Sequence, residues 1–177
     1  MLIAHGADAD AREDYPGHAP LHLAALAGHG DVIDVLAAAG ADLESVDLLH
    51  STPLDTAATA GRAAAASALL ARGANVQGSA HGGWTALHAA AFWSGSPQVV
   101  KLLLANGADV NARRRRDGRT PLHLAAGEGH AEVVRVLLAN GAAPAIRDSK
   151  GRTPMDLARI GNHGRAAELL EARAQAE

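Results

Sequence analysis

The apolar residues between residues 119 and 142 fall into two short helical stripes. The first stripe is Leu122, Ala125 and Ala126, and the second is Val133, Val134, Leu137 and Leu138. Spacings of three and four residues place each set on one face of a helix. The pattern therefore predicts two short helices, each burying its apolar face against a neighbouring layer.

Polar and conformationally special residues mark the ends of these two predicted helices. Thr120 can cap the first helix with its hydroxyl, and Pro121 suits the first helical position because it needs no N–H partner there. Gly127 and Gly129 follow the first helix, and Gly141 stands just past the second, where a left-handed residue closes the last turn. The segment is therefore a complete helix-turn-helix unit.

The Thr-Pro step of this unit recurs along the chain. It occurs as Thr52-Pro53, Thr120-Pro121 and Thr153-Pro154, with the variants Ala19-Pro20 and Thr85-Ala86. The steps begin at residues 19, 52, 85, 120 and 153, so the intervals are 33, 33, 35 and 33 residues. A chain that repeats one unit in this way forms a solenoid, in which each unit packs on its neighbours.

The motif T-P-L-H-x-A at a period of 33 residues resembles the ankyrin repeat family, and the resemblance covers nearly the whole chain. It implies an all-α fold, a single solenoid of stacked helix-turn-helix units with short β-hairpin fingers. The expected units are a partial repeat at 1–17, repeat one at 18–50, repeat two at 51–83, repeat three at 84–118, repeat four at 119–151 and a capping repeat five at 152–177.

The start of the chain matches the end of a repeat, since residues 1–14 resemble residues 103–112. We therefore expect the chain to begin inside the second helix of a repeat. A fragment of a longer array, or a start assigned too late, is the preferred interpretation. A natural half-repeat cap is the alternative.

Two repeats depart from the regular pattern. Repeat three carries two one-residue insertions, one in residues 94–97 and one in residues 113–116, and we expect loops to absorb both. Repeat two has alanine at three positions, 65, 66 and 68, where repeat four has valine at 133, 134 and 136. We expect repeat two to be the softest interior repeat. In repeat one, Val32 and Val35 are expected to fill core positions.

Composition limits the possible functions. The net charge is −3, so no global field attracts the chain to nucleic acid or membrane. The absence of cysteine excludes disulfides and thiolate metal sites. No apolar run is long enough for a membrane span, and the short run after Met1 is too short for a signal peptide. The expected location is cytoplasmic, and the oligomeric state stays open.

Metal binding and catalysis are not expected. His22, His88 and His123 are the motif histidines, and the family resemblance implies that they form hydrogen bonds within and between repeats. They lie on different repeats, without the spacing of metal ligands. Asp55 and Asp156 occupy the same position in other repeats, but no base, nucleophile or phosphate loop accompanies them. We expect no enzyme activity, no metal and no cofactor.

Three of the four aromatic residues lie in repeat three: Trp84, Phe92 and Trp93. The resemblance places the residue before the capping Thr and the end of the first helix on the concave face. Large aromatics on an open surface are candidate anchors for a protein partner, because tryptophan buries the most area per contact. The alternatives are that Phe92 folds inward, or that Trp84 packs on a neighbouring finger.

Five arginines gather at one finger beside these aromatics: Arg113, Arg114, Arg115, Arg116 and Arg119. Guanidinium forks bind carboxylates or phosphates through two parallel hydrogen bonds. A protein partner with an acidic patch is the preferred interpretation. Nucleic acid is the weaker one, because the rest of the chain is acidic. A solvated loop, or a structural segment of a longer array, is the remaining alternative.

Other fingers present apolar tips. Leu48 and Leu49 stand at one tip, and Tyr15 at the tip before it. Exposed leucines would extend a binding face, and leucines tucked against the neighbouring finger would not. The sequence leaves both alternatives open.

Overall fold

The computed structural model of the protein describes residues 9–12 and 16–175, with the backbone alone for residues 79–81. Five pairs of helices follow one another in these residues: α1 Pro20–Ala27 and α2 Gly30–Ala38, α3 Pro53–Thr59 and α4 Ala63–Ala71, α5 Ala86–Ala89 and α6 Pro97–Ala105, α7 Pro121–Gly127 and α8 Ala131–Ala139, α9 Pro154–Ile160 and α10 Gly164–Gln175. The predicted all-α solenoid is confirmed.

Thr residues begin four of the five first helices. The hydroxyls of Thr52, Thr85, Thr120 and Thr153 accept the N–H three residues on, at 3.2 to 3.4 Å. These bonds satisfy donors that a helix start leaves unpaired. Ala19 starts α1 without a side-chain cap, as its sequence predicts.

The helices form two layers. First helices contact first helices of the next repeat, as α1 does with α3 and α7 with α9, and second helices do the same, as α6 does with α8. The core runs between the layers, where Leu21, Leu87, Leu103, Leu122 and Leu137 are fully buried. Alanine and glycine keep the repeats close: a Cβ on Gly30 would lie 3.1 Å from the Ala64 carbonyl oxygen.

The motif histidines join neighbouring repeats. In each one Nδ1 accepts from the N–H of its own capping residue at 3.2 Å, so Nε2 carries the proton. That Nε2 donates to a carbonyl of the next repeat: His22 to Ser51 at 2.9 Å, His88 to Arg119 at 3.3 Å and His123 to Arg152 at 3.1 Å. Among the residues that the structure describes, Asp55 bonds only within its own repeat, to the N–H and hydroxyl of Thr52.

Short fingers connect the repeats: finger one is residues 46–51, finger two 79–84, finger three 113–119 and finger four 147–152. In the described part of the chain, finger two forms the one strand pair, β1 Ser79–Ala80 with β2 Trp84–Thr85, around a tight helical turn, His81–Gly83. Fingers one and four close with a backbone bond across five residues, such as Asp148 N–H to the Arg152 carbonyl at 2.8 Å. Finger three closes from Arg114 to Arg119, across six residues.

Finger three carries one of the two insertions of repeat three. The second insertion lies in a helix, so our expectation of a loop was wrong there. The chain continues from α5 into a wider π-helical turn, Ala90–Ser94, which ends when the Gly95 N–H donates to the Ala90 carbonyl at 3.1 Å. Ser94 fixes this turn through its hydroxyl, which reaches the carbonyls of Ala58 and Ala90. An inserted residue in a helix is commonly accommodated as such a bulge.

The outer side of repeat one differs from the expected core. Val32 is 42% exposed and Val35 is 41% exposed, whereas Ile33 and Leu36 are buried. The residue matching Val32 in repeat four, Val133, is fully buried. We expected both valines in the core because the motif has apolar residues at these positions. Such residues are buried when the repeat before them packs against them.

Candidate functional site

The aromatic residues of repeat three form one continuous cluster. Trp84 and Phe92 meet edge to face with ring centroids 5.8 Å apart, and Phe92 and Trp93 do so at 4.6 Å. Trp84 and Phe92 are half-buried and pack against the core, while Trp93 is 62% exposed. The π-helical turn thus places Phe92 inward and Trp93 in solvent, so one member of the cluster offers most of its surface.

Trp84 also supports finger three. The guanidinium carbon of Arg114 lies 4.6 Å from the centroid of the Trp84 ring, which is a cation–π contact. The ring of His88 lies on another side of the indole, 6.1 Å away between centroids. Burial lowers the pKa of His88 to about 4, so this ring is neutral at pH 7 and adds no charge beside Arg114.

A ladder of alternating charges runs from finger three to finger four. Arg114 forms a two-pronged ion pair with Asp117, and Arg119 bridges Asp117 and Asp148, 3.6 and 3.5 Å away. Arg152 completes the ladder at 2.8 Å from Asp148. Burial alone would raise the pKa of Asp117 and of Asp148, but hydrogen bonds from the arginines outweigh burial and lower both pKa values.

The five arginines near finger three therefore have two roles. Arg114 and Arg119 belong to the ladder, and Arg113 donates to the Arg147 carbonyl at 2.8 Å. Arg115 and Arg116 are exposed, and no side chain or carbonyl of the described residues pairs with either guanidinium. The sequence alone could not make this division, because it depends on which acid lies next to which arginine.

Arg115 and Arg116 border a groove between fingers two and three. The groove has a volume of about 550 Å³ and is lined by Gly82, Trp84, Arg114, Arg115 and Arg116. The fingers meet through a bond from the Arg115 N–H to the Gly82 carbonyl at 2.8 Å. Gly83 permits this contact, because its φ is +77° and a Cβ there would lie 3.2 Å from the Arg115 backbone nitrogen. None of the described residues that line the groove is acidic.

Finger four adds basic residues that sequence reasoning missed. Arg147, Lys150 and Arg152 lie on it, and it is joined to finger three by the Ser149 N–H, which donates to the Asp117 carbonyl at 2.8 Å. Residues 113–119 and 147–152 carry eight basic and two acidic side chains, a formal net charge of +6 in a chain of net charge −3. Aligning the repeats by their period would have placed these residues side by side.

The apolar tips lie apart from this cluster. Leu48 and Leu49 on finger one are 60% and 65% exposed, and finger two separates them from the arginines. Asp47 holds their turn by accepting the N–H groups of Leu49 and Ser51. Tyr15 lies outside the described residues. Arg113, Arg114, Arg115, Arg116 and Arg119 thus join Trp84, Phe92 and Trp93 at one site, and the two leucines do not.

The motif histidines have a structural role, because their rings form hydrogen bonds to backbone groups. Burial lowers the pKa of His22 and of His123, so these rings also stay neutral at pH 7 and hold the repeats together. Within residues 9–12 and 16–175, no group of His, Asp or Glu side chains is arranged to hold a metal ion. None of the helices described is both long and apolar enough to pass through a bilayer.

The fold and its surface define a class of protein, a short helical solenoid with variable fingers. Three family models match this chain: "Ankyrin repeat" at residues 17–48, "Ankyrin repeats (3 copies)" at 44–114 and "Ankyrin repeats (many copies)" at 109–158. The chain belongs to the ankyrin repeat family. Ankyrin repeats are generally non-enzymatic modules of protein–protein interaction.

One curated relative is a transient receptor potential cation channel subfamily A member 1 homolog of Caenorhabditis elegans. It is 37% identical to this chain over 89 residues, which are 50% of this chain and 7% of the relative. The chain therefore matches a small part of that channel.

Proposed function

We propose that the protein is a non-enzymatic interaction module that binds an acidic protein partner on the concave face of repeats three and four. One observation carries the proposal: both insertions of repeat three contribute to the same surface. The π-helical turn exposes Trp93, and the longer finger three adds a basic residue beside the groove. Both insertions leave the core of the repeat intact, which supports a role in binding.

The exposed members of the site would make the contacts. Trp93 offers a large exposed aromatic ring, and Trp84 forms a wall of the groove. Arg115 and Arg116 have no partner among the described residues, so an acidic group can pair with them without breaking a bond seen in this structure. Arg114, Arg119 and Arg113 hold finger three in place, and Phe92 supports Trp93.

Capture of partners from the native lysate tests the proposal. The wild-type protein is compared with Trp93→Ala and with Ile160→Ala. Ile160 is a matched control, because it is 66% exposed at the end of the first helix of repeat five. A partner retained by wild type and Ile160→Ala and lost by Trp93→Ala supports the proposal. An identical partner set for all three proteins contradicts it.

Binding to nucleic acid is a second candidate, favoured by the net charge of +6 on fingers three and four and by the neighbouring tryptophans. Basic grooves with aromatic side chains suit single strands. Titration of a single-stranded oligonucleotide at 50 and 200 mM salt tests it. A steep loss of affinity with salt supports this candidate, and no binding at 50 mM rejects it.

A role as a structural segment of a longer array is a third candidate. Leu23 and Val32 are 44% and 42% exposed on the outer side of repeat one, where another repeat would cover them. The variant Val32→Ser, introduced into the protein as it occurs in the cell, tests this third candidate. A loss of stability of about 1 kcal/mol or more indicates a covered side chain, and a change within about 0.5 kcal/mol indicates an open edge.

A further inference from the structure

The groove between fingers two and three has an unusual charge balance. The described residues of its lining include three arginines and no acid. Asp117, the nearest acid of finger three, is already shared between Arg114 and Arg119. The positive charge of Arg115 and Arg116 is therefore not compensated within the described residues, and it can be compensated by a ligand.

The number of free guanidinium groups distinguishes between anions. One carboxylate has two oxygens and satisfies a single guanidinium fork. A phosphomonoester carries a charge of about −1.5 to −2 at pH 7 and has three acceptor oxygens, so it can pair with two forks at once. Arg115 and Arg116 are adjacent residues on the rim of one groove, which suits a single doubly charged group.

The groove is also large enough for more than a phosphate. Its volume of about 550 Å³ lies within the range of roughly 300–1,000 Å³ for ligand pockets. The indole of Trp84 forms one wall, and Trp93 follows on the same aromatic cluster. A phosphorylated side chain would enter the groove while its apolar neighbours pack on the tryptophans, which a free phosphate could not do.

We propose that this groove binds a phosphorylated side chain of the partner protein, with Arg115 and Arg116 holding the phosphoryl group. The inference rests on the proposed function and names the group that the site recognises. It predicts selection between phosphorylated and unphosphorylated forms of one partner.

Tryptophan fluorescence gives a direct test, because Trp84 and Trp93 are the only tryptophans of the chain and both lie at the site. Three peptides of the form acetyl-Ala-Leu-X-Leu-Ala-amide are titrated, with X as phosphoserine, glutamate or serine. The phosphoserine peptide is expected to bind at least about tenfold more tightly than the glutamate peptide. Arg115→Gln/Arg116→Gln is expected to remove this preference.

A second variant controls for the loss of two charges. Lys101→Gln/Arg165→Gln removes two exposed basic side chains from outer helices, so it should bind the phosphoserine peptide as wild type does. Equal affinity of the three peptides, or equal loss in both variants, overturns the inference. Inorganic phosphate that binds as tightly as the phosphopeptide also overturns it, in favour of a free anion.

Phosphatase treatment of the lysate separates this inference from the proposed function. A partner captured before treatment and lost after it supports the phosphoryl group. A partner captured equally in both cases overturns the inference while the proposed function stands. Binding of oligonucleotide without binding of phosphopeptide overturns the inference and favours nucleic acid.

Discussion

Repeats one and two differ from repeats three and four in their fingers, and repeat two differs from the other three in how it is joined to the next repeat. Finger one presents Leu48 and Leu49, whereas fingers three and four present a net charge of +6. Repeats one, three and four each send a histidine bond to the following repeat, but repeat two has Asp55 at that position. The same backbone plan therefore supports two different surfaces and two kinds of junction.

This difference shows which positions the fold determines. A buried position must suit two neighbouring repeats at once, so its size and polarity are restricted in every unit. Fingers two, three and four are joined by backbone bonds, Arg115 N–H to the Gly82 carbonyl and Ser149 N–H to the Asp117 carbonyl, besides their side-chain contacts. Side chains at the tip can then vary from leucine to arginine without loss of the fold, and recognition resides there.

The largest expected effect concerns the junction between repeats four and five. His123→Ala should lower the free energy of unfolding by about 3 kcal/mol, because it leaves the Arg152 carbonyl and the Thr120 N–H without their partner. Asp55→Ala should cost clearly less at pH 7, since it also removes a buried charge that is costly to desolvate. Urea unfolding of both variants measures this. Equal losses would contradict the distinction between the two junctions.

A pH series sharpens the comparison at repeat two. Burial raises the pKa of Asp55 to about 6, above its unfolded value of 3.8. A raised carboxyl pKa favours the protonated folded state, so the contribution of Asp55 to stability is greatest at low pH and is lost as pH rises through 6. Asp55→Asn should therefore gain about 2 kcal/mol over wild type between pH 4 and pH 7.

Unfolding of both proteins at each pH gives the difference directly, and the histidines common to both cancel. Their lowered pKa values act in the opposite sense, since they cost stability as pH falls below 6.5. A difference between the two proteins that stays constant from pH 4 to pH 7 would show that folding does not raise the pKa of Asp55.

Exchanging core residues between repeats tests the packing. Val133→Ala should cost about 1.5 kcal/mol, because Val133 is fully buried and two methyl groups are lost. Ala65→Val should also destabilise, by about 1 kcal/mol, since Ala65 is fully buried in a layer that already approaches closely at Gly30. Thermal unfolding of each variant measures both changes. A stabilising Ala65→Val would reveal unfilled space in repeat two, as the sequence suggested.

The smallest effect concerns the first helix of repeat one. Ala19→Thr should restore the hydroxyl that caps α3, α5, α7 and α9, and should raise stability by about 1 kcal/mol. Ala19 is buried, but Thr120 is equally buried at the equivalent position, so the space suits threonine. An unchanged melting temperature would show that repeat one unfolds separately from the rest.

Much of the fold could be predicted from the sequence, because caps and apolar spacing are local signals. Thr120, Pro121 and the buried leucines stand where the motif requires them. The π-helical turn could not be located, since one extra residue between two helices fits a loop or a helix end equally well. The exposure of Val32 was missed because burial there depends on a neighbouring repeat.

The positions of the candidate residues were predicted in part. The sequence placed Trp84, Phe92, Trp93 and the arginines of finger three near one another, and they lie close together, but Phe92 packs inward and Trp84 contacts Arg114 of the neighbouring finger, as the alternatives expected. Their role in binding stays a prediction. It could not separate Arg115 and Arg116 from Arg114 and Arg119, because that depends on the positions of Asp117 and Asp148 in three dimensions. Finger four was overlooked because Asp148 stands among its basic residues. The segment is therefore not a continuous run of positive charge in the sequence.

The most direct test of the account is to measure partner affinity and melting temperature together for two double variants. Arg115→Glu/Arg116→Glu should abolish partner binding with a melting temperature close to that of wild type, because no residue in the described part of the chain pairs with either side chain. Arg114→Gln/Arg119→Gln should lower the melting temperature, because it breaks the ladder to Asp117 and Asp148. Retained partner binding in the first variant would contradict the assignment of Arg115 and Arg116 as the binding residues.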